Sequence, residues 1–132
     1  MSLETIRQIR GYMVSSSDIT SIVGANDIRV GWLKTKDQFP CITINQVAGS
    51  DIGYLGYNTS AAGSQMRKET TIYQVDIFSK TSRLQTLQIA DLIVPRMISG
   101  GCRKESDIED YNDELGIYRK IQTYSKIHHF DD

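Results

Sequence analysis

An α+β domain is the fold class this sequence predicts: a mostly antiparallel sheet with two main helices packed on one face and a long loop between strands. Three observations carry the prediction. Apolar residues recur at helical spacing in two separate stretches, near the start of the chain and again after Ser82. Alternating β-branched and aromatic runs fall between and after those stretches, so strands neither cluster together nor alternate regularly with helices. A Gly-, Ser- and Ala-rich segment, AGSDIGYLGYNTSAAGSQ, interrupts the strands and reads as a loop over Ala48 to Gln65. At 132 residues the chain suits a single domain, residues 1–132, with no internal repeat.

The elements follow in order. Leu3, Ile6, Ile9 and Met13 predict a first helix near residues 3–14, capped by Ser2, with Glu4, Arg7, Gln8 and Arg10 on its other faces. A short turn of helix is expected from Asp18 to Val23, with Ser17 or Asp18 as cap and Gly24 ending it in a left-handed conformation. Ile28 to Leu33 reads as a strand, and Cys41 to Val47 as a second, after the break at Asp37 to Pro40. Thr70 to Ser79 is the clearest strand, because Tyr73, Val75 and Ile77 share one face while Gln74 and Asp76 take the other. Thr81 or Ser82 caps the main core helix, whose stripe is Leu84, Leu87, Ala90, Val94 and Met97, broadened by Ile89, Ile93 and Ile98. Pro95 lacks the proton that would bond to the Asp91 carbonyl, so a kink or loose end is expected before Gly100-Gly101. Arg103 to Tyr111 and Ile117 to His128 then form a closing hairpin around Asn112 to Gly116, with Ile117, Ile121 and Ile127 on one face. The core is expected at Ile6, Ile9, Ile42, Ile44, Tyr73, Val75, Ile77, Leu84, Leu87, Ala90 and Val94.

Composition excludes several function classes. Fifteen basic against 16 acidic residues leave a net charge of −1, which does not suit a protein that coats DNA by counterion release. The 39% hydrophobic and 23% charged content is that of a folding chain rather than a disordered one. No apolar run approaches the roughly 20 residues of a membrane span. MSLETIRQIR reads as an amphipathic helix and not a signal peptide, so the cytoplasm is the expected place of synthesis and assembly. Asn58-Thr59-Ser60 matches a glycosylation pattern that has no consequence there.

A search for chemistry returns no catalytic constellation. Gly49, Gly53 and Gly56 are not followed by the Gly-Lys-Ser/Thr ending of a phosphate loop and do not spell a dinucleotide fingerprint. His128 and His129 are adjacent, and on a strand would point to opposite faces, so they read as a polar terminus rather than a metal site. Cys41 and Cys102 are too few for a disulfide scaffold; Cys102, beside Arg103 and Lys104, is the more reactive candidate but has no base assigned to it. The acidic stretch Glu105, Asp107, Glu109, Asp110, Asp113 and Glu114 reads first as a solvated hairpin tip that discourages strand-to-strand aggregation. It also suggests pairing with Arg67, Lys68, Arg119 or Lys120 of a neighbouring copy. No enzyme activity, cofactor or metal is expected.

The element order, the size, the run QVDIFSKTSRLQTLQIADLI and the final strand YRKIQTYSKIH together resemble the tail-terminator and tail-completion (head-tail joining) proteins of long-tailed bacteriophages. The similarity covers nearly the whole chain and is one of pattern, since that family has no catalytic signature. It implies a structural virion protein at the tail-neck junction, forming a ring, typically a hexamer, on the end of the tail tube and docking it to the head-tail connector. DNA would pass through such a ring without specific binding. The alternatives are a tail-completion or neck protein of the same fold, or a small non-enzymatic protein-binding module. Under the first reading the expected partner and oligomer contacts are Ile52, Tyr54, Leu55 and Tyr57 of the loop, with Arg67, Lys68, Glu105, Asp107 and Glu109.

Overall fold

A computed structural model of the chain describes residues 3–34, 38–51 and 66–131. The elements run α1 (Leu3–Val14), α2 (Ser17–Thr20), a 3-10 turn (Ala25–Asp27), β1 (Ile28–Val30), β2 (Cys41–Asp51), β3 (Met66–Ser79), α3 (Arg83–Ser99), β4 (Cys102–Asn112) and β5 (Ile117–Asp131). The five strands form one sheet in the order β1-β2-β3-β5-β4. Only β1 and β2 pair in parallel; β2 with β3, β3 with β5 and β5 with β4 are antiparallel. The expected α+β class and predominantly antiparallel sheet are therefore what the chain adopts.

Both long helices cover the same face. Ile42 and Ile44 of β2, Tyr73, Val75 and Ile77 of β3, and Tyr124 of β5 are buried against Ile9 and Met13 of α1 and Ile89, Ile93 and Met97 of α3. Burying a large apolar side chain is worth about 1.5–3 kcal/mol, so this layer is the main source of stability. On the opposite face Cys41, Phe78 and Ile117 form a smaller buried cluster, with Leu33 and Phe39 packed against it.

Several boundaries differ from expectation, each for a local reason. α2 is capped by Ser16, whose Oγ accepts the Ile19 amide, and not by Ser17 or Asp18. Gly24 sits at φ −55° and opens the 3-10 turn, so it is no left-handed stop. β1 ends at Val30 because Gly31 turns the chain at φ 117°, a conformation that favours glycine, while its amide still bonds to Ile44 O at 3.0 Å. β2 runs on to Asp51, four residues into the stretch expected to be loop, because Ala48 to Asp51 pair with Ile72 to Glu69 of β3 beyond a bulge at Gln46/Ala48. The rest of that expected loop lies outside the described residues.

α3 is rotated from the expected stripe. Its buried residues are Thr86, Ile89, Ala90, Ile93 and Met97, whereas Leu84 and Ile98 are 61% and 57% exposed and Leu87 and Val94 are half-buried. Thr86 takes a core-facing position because its hydroxyl donates to Arg83 O at 2.6 Å and so carries its own partner inward. Pro95 lies on the outer face and the helix continues through it to Ser99. In β5, the buried Tyr124 and Gln122 face the helices; Ile117 belongs to the opposite cluster and Ile127 is exposed.

Candidate functional site

The two lateral edges of the sheet carry the chain's distinctive side chains. At the β4 edge, the register sets Asp107 opposite Gln122, Glu109 opposite Lys120 and Tyr111 opposite Tyr118. Alternate residues of a strand share a face, so these line up on the side of the sheet that α3 covers. Asp107 Oδ2 accepts from Lys104 Nζ at 2.7 Å and its Oδ1 from Lys120 Nζ at 2.6 Å. Gln122 Nε2 approaches Asp107 Oδ2 at 3.5 Å and accepts, through Oε1, the Tyr124 hydroxyl at 2.8 Å. Glu109 is held by Arg83 of α3 at 3.0 Å, with Lys120 3.9 Å away. Partial burial pushes the Asp107 carboxyl up, but hydrogen bonds and charge from Lys104 and Lys120 outweigh it and hold the group below its ordinary value.

The candidate interface residues read from the sequence thus fall into four groups. Asp107 and Glu109 are tied to cations of their own chain. Glu105 is exposed on the bulge of β4, accepts Ser125 Oγ at 2.6 Å and lies 3.6 Å from Arg103. Arg67 and Lys68 lie on β3, with their backbones opposite Phe130 and His129 of β5. Ile52, Tyr54, Leu55 and Tyr57 lie outside the described residues. The basic partners imagined for the acidic stretch are also engaged within the chain. Arg119 reaches Asp76 at 2.9 Å and lies over the Phe78 ring, 5.6 Å from its centre, and Lys120 holds Asp107. Asp76 is only 1% exposed, and Gln74 Nε2 donates to both its oxygens at 3.0 Å, so this face of the sheet is pinned by one compensated carboxylate. The hairpin tip differs: among the described residues Asp110, Asp113 and Glu114 make no ion pair, and Tyr111 and Leu115 beside them are exposed.

The opposite edge holds a feature that the sequence reading missed. α1 crosses β1 so that Arg7 and Arg10, one turn apart on a helix face, meet Arg29 of β1. With Asn26, Ile28 and Val30 they line an open groove of about 490 Å³, and among the described residues no carboxylate lines it. Arg10 is fixed there by its own donors, Nε to Ile28 O at 2.6 Å and an Nη to Ala25 O at 2.8 Å. The i, i+3 spacing of Arg7 and Arg10 was the one available signal; Arg29 joins them only through the fold.

Neither cysteine is placed as a nucleophile. Burial, reinforced by the charge of Asp27 and opposed by that of Arg29, pushes the Cys41 thiol up to about 12. Burial likewise raises Cys102, against the opposing charge of Lys126. Among the described residues no three His, Cys, Asp or Glu are grouped to hold a metal ion, and no helix is long and apolar enough to cross a membrane.

No protein-family model matches the chain, and no curated protein matches it. Among solved structures, a chain of the virion of a native gene transfer agent particle superposes with a TM-score of 0.77. The likeness covers 98% of this chain and 96% of that one at 4% identity, so what the two share is the fold.

Proposed function

We propose that the chain is a non-enzymatic structural protein of a phage-like virion, and more finely a tail terminator: a ring of copies, a hexamer on the family resemblance, that ends the tail tube and docks it to the head-tail connector. The observation that carries the reading is the end-to-end likeness to a virion-particle chain, which agrees with the resemblance drawn from QVDIFSKTSRLQTLQIADLI and YRKIQTYSKIH. Two further features support a scaffold whose work is done by its surfaces. Burial raises both thiols away from nucleophilic reactivity, and among the described residues charged side chains gather at the lateral edges of the sheet. A net charge of −1 suits a ring that lets DNA pass without holding it.

In this reading Tyr54, Leu55 and Tyr57 anchor the segment after β2 on a neighbouring copy or on the tube, with Ile52, Arg67, Lys68, Glu105, Asp107 and Glu109 around that contact. Aromatic and large apolar anchors carry most of the energy of such interfaces. The test is sedimentation velocity of the full chain at tens of micromolar, alone and with tail-tube protein. A discrete ring that binds the tube, lost when Tyr54, Leu55 and Tyr57 are replaced by Ser while thermal unfolding is unchanged, is the expected result. A monomer under both conditions overturns the terminator reading and leaves the small binding module. A ring that binds connector but not tube assigns the completion role instead.

A further inference from the structure

We propose that the arginine groove at the β1 edge is the docking surface for the acidic β4-β5 hairpin tip of a second copy, so that subunits join head to tail, edge to opposite edge. The proposal rests on the self-assembly reading above and names the contact that would build it. Three observations carry it.

The first is charge. Arg7, Arg10 and Arg29 line the groove, and Asp110, Asp113 and Glu114 crowd the hairpin tip. Among the described residues Arg7 makes no ion pair, and neither do the three tip carboxylates, whereas the acids deeper along β4 are already neutralised by Lys104, Lys120 and Arg83. Arg7 thus leaves positive charge at one edge, and the tip carboxylates leave negative charge at the other. Complementary edges attract and like edges repel, which fixes the orientation of the contact.

The second is position. A single row of paired residues crosses the sheet through Ile28, Ile42, Ile77, Lys120 and Glu109, and the next through Arg29, Thr43, Asp76, Ile121 and Ile108. These rows end on Glu109 and Ile108, so the hairpin lies on the opposite edge, four strand spacings or about 19 Å across, and its tip from Asp110 to Glu114 runs one to five residues past the Ile28 row, on the side where Asn26 precedes β1. A contact between two different patches is heterologous, and it closes into a ring when successive copies are related by rotation without a rise.

The third is chemistry. Val30, half-buried, gives the groove a partly exposed apolar wall, and the hairpin tip offers Tyr111 and Leu115, both exposed, beside its carboxylates. Planar guanidinium groups match carboxylates in a two-pronged geometry, and apolar contact beneath them excludes water from the pairs.

Sedimentation velocity on four full-length samples tests this. Arg7→Glu alone, and Asp110→Lys with Glu114→Lys in another chain, should each weaken assembly at least tenfold, since each exchanges attraction for repulsion. An equimolar mixture of the two variants should assemble again, because every groove in an alternating ring then meets a hairpin of opposite sign. A wild-type chain that stays monomeric with tube protein present overturns the self-assembly reading, and this contact with it. Wild-type assembly with either variant assembling equally well, or with the mixture failing to recover, overturns this contact and leaves that reading standing. Retention of a short DNA duplex that Arg7→Glu abolishes, with assembly unchanged, assigns the groove to phosphates and also overturns the proposal.

Discussion

Replacing Gly100 by Ala tests the joint between the two helices and the sheet. Gly100 follows α3 at φ −80° and ψ 2°, a backbone that any L residue adopts, so glycine is not required there by conformation. It is required by Tyr12: a Cβ at Gly100 would lie 2.3 Å from Tyr12 Cε2 and 2.5 Å from Cζ, far inside van der Waals contact. Relief demands that the ring move. That motion breaks the Tyr12 hydroxyl's bond to Gly100 O at 3.1 Å and its contact with Lys126 Nζ at 2.5 Å, and takes the ring from beneath the Lys126 ammonium, 5.0 Å from its centre. Overpacking costs about 1–3 kcal/mol and a lost hydrogen bond about 0.5–1.5 kcal/mol, against about 0.4–1 kcal/mol gained from a less flexible unfolded chain. The net expectation is a loss of about 1–3 kcal/mol, read as a lower urea midpoint at unchanged slope. In a Tyr12→Ala background the obstruction is gone, so the same substitution becomes neutral or slightly stabilising. Equal costs in both backgrounds, or no cost in the parent, would refute the close approach as the reason for glycine.

Three further outcomes are expected. Arg119→Ala leaves the buried Asp76 carboxylate with Gln74 alone and should cost several-fold more stability in urea than Arg83→Ala, whose exposed pair with Glu109 is worth about 0–1 kcal/mol. Because the Asp107 carboxyl is held below its unfolded value of 3.8, its stabilising contribution is full above that value and is lost as pH falls through the folded one. The thermal midpoint gap between wild type and Asp107→Asn should therefore be constant near neutral pH and narrow below about pH 4. With Cys41 raised to about 12 and Cys102 also raised and buried, a thiol reagent at pH 8 should label both at the rate of unfolding; rapid labelling in the absence of denaturant would show that the strand ends open locally.

The sequence exposes those parts of the fold in which side-chain pattern and burial agree. α1 and the Tyr73-Val75-Ile77 strand are legible because each shows its period without help from a neighbour, whereas the closing hairpin is legible from its turn residues, its Ile117-Ile121-Ile127 face not being the one that meets the helices. Ala48 to Asp51 are not, since their strand form is imposed by pairing with β3 while their composition is that of a loop. The face of α3 is misjudged by a residue or so because Leu84 and Ile98 outweigh Thr86 in hydropathy, and the hydroxyl that lets Thr86 be buried bonds within the helix. The candidate surfaces divide in the same way. The acidic hairpin is contiguous in the chain and stands out, although which carboxylates are already neutralised depends on partners from β5 and α3. The arginine groove is spread over residues 7 to 29, and no single arginine in the sequence signals that the fold will bring the three together.

The place of β5 in the sheet bears on how the protein is made. β5 follows β4 in the chain yet is inserted between β3 and β4, contributing the fourteen-residue ladder with β3 and the whole pairing of β4. On the ribosome, β4 emerges with no strand to pair with, and β3 keeps one open edge until residues beyond Ile117 have been synthesised. A chain interrupted before that point has neither a closed sheet nor an acidic hairpin. Translation thus acts as a timer: the strand that completes the fold also forms the hairpin proposed above as the joining surface, so under that proposal an unfinished subunit has nothing to join with.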